Sequence, residues 1–385
     1  MKPKVKVRVF VTGFLIFLLL FAVIYGREKK NVAKESMETL EVTTDDMSTV
    51  TGEKNDGKNE YNKEPEDSIT CISSGWAGAL VTENGELYMW NNVYDESAWQ
   101  NETWLFDNSI EYSFDGRPVK LLEDINFVTQ ADGNYAALTE NSELYIWGTF
   151  DSNDSYKSIQ PIKILDNVRT VSLSETDTCI AVTNTGDLYY YGNWYIPDSG
   201  YQFYDKPQLL ANGVKTACVC VGGALVVGED GSLREYCEGR EKLICQGYDI
   251  EKISSLGPGN FVFLTNSGEF YVWWWEMDSI TKIMDHVEKF SAHYSSSGLD
   301  DVIMLVTEEH ELYLVLENGS SCKMAEKIED ITISNTITTG YDGLLKTEDG
   351  NVYQFKHFNS NQWMESEESN SGSFIEKECV AVPFY

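Results

Sequence analysis

A hydrophobic strand, a tight acidic turn and a second, aromatic-rich strand recur seven times along this chain. The first copy reads Ala79-Leu80-Val81-Thr82-Glu83-Asn84-Gly85-Glu86-Leu87-Tyr88-Met89-Trp90. Its closing strand returns as Leu144-Tyr145-Ile146-Trp147, Leu188-Tyr189-Tyr190-Tyr191, Leu233-Arg234-Glu235-Tyr236, Phe270-Tyr271-Val272-Trp273, Leu312-Tyr313-Leu314-Val315 and Val352-Tyr353-Gln354-Phe355. Successive copies begin 57, 44, 45, 37, 42 and 40 residues apart. A strand-built repeat of about 40–50 residues predicts a β-propeller with one blade per copy. The expected fold class is therefore all-β, a seven-bladed propeller over residues 68–385.

Composition limits the partners of such a domain. Hydrophobic residues make up 42% and aromatic residues 13% of the chain, enough to fill the interfaces between blades. The formal net charge is −33. A phosphate-binding surface needs clustered Lys and Arg, so nucleic acid is not an expected partner. Strong acidity favours basic partners or cations instead.

The N-terminus has a different character. Lys2, Lys4, Lys6 and Arg8 form a basic tail over residues 1–8 and precede an apolar run over 9–25. That run is at the short end for a membrane span. Val23-Ile24-Tyr25-Gly26 is a poor small-residue cleavage site, which favours an uncleaved signal anchor over a cleaved signal peptide. The basic tail predicts a cytoplasmic N-terminus and an extracellular propeller on a single-pass cell-membrane protein. Residues 26–67 hold no Trp, Phe or Cys. They bury too little apolar surface to offset their ordering entropy and read as a disordered polar linker. By coil statistics its span averages roughly 30–40 Å.

Each repeat reads as four short strands. The unit ending at Trp147 is read as strands over 117–122, 127–130, 135–139 and 143–147. The turn before the last strand carries Gly85, Gly186, Gly231, Gly268 or Gly350, the residue that takes positive φ without penalty. Glu140-Asn141-Ser142 and Glu308-Glu309-His310 lack that Gly and are expected to form looser turns.

With Leu138 through Gly148, Pro118-Val119-Lys120-Leu121-Leu122, Pro161-Ile162-Lys163-Ile164-Leu165 and Ile72-Ser73-Ser74-Gly75 in view, the unit resembles the RCC1-type repeat, the propeller family of the regulator of chromosome condensation. The resemblance covers residues 68–385 and implies the family's seven blades. Tyr135 stands where the family's repeat usually has His. Of the Gly-rich segment after the last strand, only Trp147-Gly148 and Tyr191-Gly192 keep the start. The family's nucleotide-exchange and chromatin roles therefore do not carry over. The chain looks like a divergent, membrane-anchored member, similar to secreted bacterial members that act as protein-binding modules.

The first repeat opens at Ile69 with no strand before it, and the last closing strand ends at Phe355 with the chain running on to Tyr385. The C-terminal strand 378–382 is expected to complete the first blade and close the ring. Cys379 would then adjoin Cys71, the expected disulfide among eight cysteines that otherwise read equally well as buried thiols.

Antiparallel alternation sorts the loops onto two faces. One face collects short acidic turns, among them Glu83, Glu86, Glu123, Asp124, Glu140, Asp166, Glu229, Asp230, Asp249, Asp285, Glu308 and Glu348. The other collects the long loops, rich in Trp and Tyr, and long loops on a rigid scaffold are where function concentrates. Trp76, Tyr94, Trp99, Trp104, Trp194, Tyr195, Tyr201 and Trp363 are the candidate partner-binding residues, since Trp and Tyr dominate binding hot spots.

The sequence offers no HExxH, GxSxG, GxGxxG or phosphate-cradling motif. Asp151-Ser152-Asn153-Asp154-Ser155 begins like a calcium loop but lacks its Gly and its final Glu. No catalytic, metal or cofactor residue is assigned. The function expected is a non-enzymatic cell-surface module that binds a protein or peptide. The alternatives are an extracellular carbohydrate-binding or carbohydrate-degrading propeller and an intracellular membrane-tethered scaffold.

Overall fold

In a computed structural model the chain divides into two units, Met1–Asn59 and Glu60–Tyr385. The residues described are 68–75, 77–90, 118–131, 133–148, 161–174, 177–196, 199–237, 239–274, 279–294, 301–316, 319–336, 340–360, 363 and 374–382. The basic tail 1–8, the apolar run 9–25 and the linker 26–67 lie outside them. Among the described residues no helix is long and apolar enough to cross a membrane.

The described strands form seven four-stranded sheets, each antiparallel and each built from consecutive strands. Blade one, for example, is Ile69–Ser74, Gly78–Thr82, Leu87–Trp90 and Val119–Leu122. The first strands of successive blades, Ile69–Ser74, Ile125–Ala131, Val168–Leu173, Val214–Cys220, Ile250–Ser255, Val287–His293 and Ile328–Thr336, pack side by side around a ring that returns from the seventh to the first. The fold is a seven-bladed β-propeller.

This ordering corrects the expected phase of the repeat. Residues 119–122 do not begin the second blade; they pair with Leu87–Trp90 as the outer strand of the first. The ring is also not closed by an exchanged strand. Cys379–Ala381 pairs with Tyr353, Gln354 and Phe355 and is the outer strand of the seventh blade. Closure is made by side chains. Ile69, Ile72, Leu80 and Trp90 of blade one pack against Leu344, Val352 and Val382. At about 1.5–3 kcal/mol per fully buried large side chain, such an interface holds the ring without a shared strand. Within blade one, Trp90 is set by its strand partner Gly78, where a Cβ would lie 2.2 Å from the indole Cε2.

The expected disulfide is absent for the same reason. Cys71 packs at the interface of blades one and two, Cys379 packs at the interface of blades six and seven, and all eight cysteines are free thiols.

Two repeated devices build the ring. The first residue of every inner strand is followed by a register shift, a bulge that turns the third residue relative to the ladder. The fifth residue of every inner strand is a small hydroxyl or thiol: Ser73, Thr129, Ser172, Cys218, Ser254, Ser291 and Thr332. An inner strand has no further strand on its axial side, so its N–H groups need other acceptors. Ser172 Oγ accepts the Val219 N–H at 3.1 Å, Ser291 Oγ accepts the Ile333 N–H at 2.9 Å, and Thr332 Oγ1 accepts the Ser74 N–H at 2.9 Å.

The turns between second and third strands share one geometry, including the two expected to be looser. Ser142 and His310 adopt φ of 63° and 59°. Their N–H groups bond back to Thr139 and Thr307 at 2.9 Å, as that of Gly85 bonds to Thr82. The neighbouring strands impose the left-handed residue whatever its identity, at a cost of about 1–2 kcal/mol for a residue with a Cβ.

Candidate recognition surface

The two faces separate as the alternation of strands requires. On one, the first turn residue of each blade bonds to the link that precedes its inner strand. Glu140, Asn184, Glu229 and Glu308 donate their N–H groups to the carbonyls of Asp124, Asn167, Gly213 and His286, each at 2.8 Å. The turn's left-handed residue in turn accepts from the next blade, as Gly85 does from Ile125 at 2.9 Å.

The acidity of this face is largely paired. In four blades a lysine of the outer strand stands between two carboxylates. Lys120 meets Glu86 and Glu123 at 2.6 Å, and Lys163 meets Glu143 at 2.5 Å and Asp166 at 2.7 Å. Lys282 meets Glu269 and Asp285 at 2.8 and 2.5 Å, and Lys323 meets Glu311 and Glu326 at 2.6 Å. Lys120 and the Tyr88 hydroxyl hold the Glu86 carboxyl below the usual carboxylate range, and Lys323 with Tyr313 does the same for Glu311. The lysine is the repeated Lys of Pro-Val-Lys-Leu-Leu, and the tyrosine is that of the Leu-Tyr phrase; across the strands Tyr88 faces Lys120 and Tyr145 faces Lys163. The pattern is scaffold chemistry, and exposed pairs of this kind stabilise by about 0–1 kcal/mol each.

Around the axis the bulged third positions bring Lys252, Lys289, Asp330 and Cys71 onto four successive blades. Lys289 lies 3.7 Å from Asp330, and Lys252 donates to the Phe290 carbonyl at 3.1 Å. Desolvation raises the Asp330 carboxyl above its ordinary range and pushes the Cys71 thiol up to about 11.

Of the candidate partner-binding residues, Trp76, Tyr94, Trp99 and Trp104 lie outside the described residues. In sequence the segment 91–117 falls between the third and fourth strands of one blade, not between two blades as the repeat phase implied.

The other candidates divide sharply. Trp194, 8% exposed, stacks on Tyr190 at 4.5 Å and packs with Val214, Ala217 and Val219 between blades three and four. Trp363, 4% exposed, is enclosed by Phe358 and by Phe374 of the short helix Phe374–Glu378. Both are packing residues, and Trp363 presents no surface to a partner. Tyr195 and Tyr201 are different. They face each other across the hairpin of Leu188–Ile196 and Gly200–Ala211, rings 5.4 Å apart and 77° to one another, and Tyr201 is 55% exposed. Those strands run 9 and 12 residues against 5 and 4 in the second blade, so the hairpin is an extended arm. Ring contacts on its flanks stiffen it: Tyr190 is stacked on Trp194 and meets Tyr204 edge to face, as Tyr191 meets Phe203.

Sequence reasoning missed a second feature. Between blades four and five lies a cavity of about 110 Å³ lined by Glu235, Lys242, Asn260, Phe261, Trp273 and Cys220. The available signal was positional: the third residue of the repeated phrase is Met89, Ile146, Tyr190, Val272, Leu314 or Gln354 in six blades, all uncharged, and Glu235 in the fourth.

The fold defines the class, a seven-bladed β-propeller, and part of the chain is similar in sequence to the regulator of chromosome condensation. No family model matches the chain. Human regulator of chromosome condensation is 29% identical over 159 residues, 38% of this chain and 35% of that protein. The mouse protein is 28% identical over 158 residues, with the same coverage. The match thus spans about a third of the length of these curated relatives. Among solved structures, human WBSCR16 superposes with a TM-score of 0.48 at 17% identity, covering 62% of this chain and 72% of its own. Prp20p of Saccharomyces cerevisiae does so with 0.46 at 16%, covering 66% and 71%.

Proposed function

We propose that this chain is a non-enzymatic interaction module that binds a protein or peptide through its long-loop face, displayed at the cell surface by the N-terminal segment. The observation that carries the reading is the stiffened aromatic arm, with Tyr195 and the exposed Tyr201 at its end. A rigid aromatic platform gives contact area at little ordering cost, which suits protein recognition. The surface location rests on the basic tail and apolar run of the sequence.

Full-length chain carrying a C-terminal tag tests both parts. Cross-linking on intact cells is expected to capture a protein, and Tyr195→Ala with Tyr201→Ala is expected to abolish capture while leaving the melting temperature within a degree or two. Capture unchanged by that double variant overturns the arm as the site. Glycan-array binding lost in the same variant replaces a protein ligand with a carbohydrate. Resistance of the C-terminal tag to external protease on intact cells refutes surface display.

A further inference from the structure

Glu235 is the one charged residue at a position that is apolar core in four blades, Tyr190 in the third and Gln354 in the seventh. The equivalent side chains Met89, Ile146, Val272 and Leu314 are at most 1% exposed, and each packs into the apolar cluster shared with the following blade. A carboxylate placed there cannot be buried without a partner. Blades four and five accordingly do not close over it; they leave the 110 Å³ cleft. A cavity of that size is well above the roughly 10–15 Å³ that one water needs and admits one compact head group.

The walls are specific. Trp273 lies parallel to the buried Phe261, rings 5.8 Å apart at 10°, and both rings line the cleft. Lys242 stands directly opposite Glu235 on the neighbouring strand. Among the described residues no ion pair joins the two, whereas Arg234 beside them is engaged by Asp230 and Glu241 at 3.3 and 3.1 Å. Burial pushes the Cys220 thiol well above its ordinary range, and Glu235 supplies the carboxyl group of the lining.

We propose that this cleft receives the guanidinium of an arginine side chain. A guanidinium is planar and weakly hydrated, stacks on an indole face and meets a carboxylate in a two-pronged pair. The chain's net charge of −33 favours the arrival of a cation. The proposal rests on the interaction reading above and names a chemistry of the partner. Lys242 opposes the incoming charge, so it tunes affinity downward. The two facing residues therefore act with opposite signs.

Titration calorimetry of the full-length chain with N-acetyl-arginine methylamide, whose only charge is the guanidinium, tests this directly. Glu235→Gln is expected to weaken binding at least about tenfold, and Lys242→Met to tighten it about threefold. Binding of N-acetyl-glutamate methylamide with those signs reversed overturns the proposal, as does arginine-amide binding indifferent to Glu235→Gln. Both substitutions keep side-chain volume, and an unchanged thermal transition confirms that the fold is intact. Failure of the arginine amide to bind while a partner is still captured through Tyr195 and Tyr201 sinks the cleft alone. Arginine-amide binding with no partner captured leaves the cleft standing and sinks the interaction reading.

Discussion

Thr332 Oγ1 accepts the backbone N–H of Ser74 at 2.9 Å and lies 2.8 Å from the Ser74 hydroxyl, across 258 residues of chain. It is the last step of the hydroxyl-to-amide series that links inner strands, and the one that joins the seventh blade to the first. Ser74 is 4% exposed, so its amide has no water to fall back on. Thr332→Val is expected to cost about 1–3 kcal/mol in urea unfolding, and Thr332→Ser much less. Equal losses from the two would show that the hydroxyl is not what closes the ring.

Ser142 occupies a left-handed turn position that five other blades give to Gly. Ser142→Gly is expected to raise stability by up to about 1 kcal/mol, because the Ser142 hydroxyl takes only a 3.4 Å contact from Asn184. His310→Gly is expected to gain less, since the imidazole is held at 2.6 Å from Glu348. Urea midpoints of the two variants decide the order.

These turns show what a repeat conveys and what it hides. The acidic turn, the aromatic strand and the Lys of the outer strand recur in sequence because each does one local job, and the blade count follows from them. The phase was hidden. Only the two residues Glu123-Asp124 separate the outer strand Val119–Leu122 from the inner strand Ile125–Ala131, and both strands are short and apolar, so nothing local says which blade owns Val119–Leu122. The choice is made by long-range pairing to Leu87 and Tyr88. Aromatic residues such as Trp194 and Trp363 likewise look the same in sequence whether they face solvent or another ring.

The lysine clamps give the molecule an acid limb. Glu86, Glu269 and Glu311 are each held below the ordinary carboxylate range, first by Lys120, Lys282 and Lys323 respectively. A carboxyl whose folded value is depressed contributes stability above its unfolded value, about 4.3, and that contribution is lost as pH falls through the folded value. Unfolding free energy should therefore decline below about pH 4.5 more steeply in the natural protein than in a triple Glu→Gln variant. Parallel curves would mean that the clamps add nothing.

The thiols supply an independent check on the corrected closure. Burial pushes Cys179 and Cys218 up to about 12 and Cys245 up to about 11, so few thiolates exist at neutral pH. Ellman's reagent is expected to react slowly with the native chain and to count eight thiols after unfolding without reductant. A count of six would restore a disulfide.

Trp363 and Tyr201, similar in sequence context, should respond in opposite ways. Trp363→Ala empties a site enclosed by Phe358 and Phe374 and is expected to cost about 3–5 kcal/mol with no direct effect on ligand contact. Tyr201→Ala is expected to leave stability within about 0.5 kcal/mol and to weaken partner capture. Thermal melts of the two variants beside the capture assay separate the roles.

No blade of this ring borrows a strand from another. Each sheet is complete within one uninterrupted stretch of chain, and the junction between last and first blades uses the same hydroxyl and apolar contacts as the junctions inside the series. Closure therefore places no demand on where the polypeptide starts. A gene encoding such a ring can gain its beginning and end at any of the six short links between blades, and whole blades can be exchanged as intact coding units.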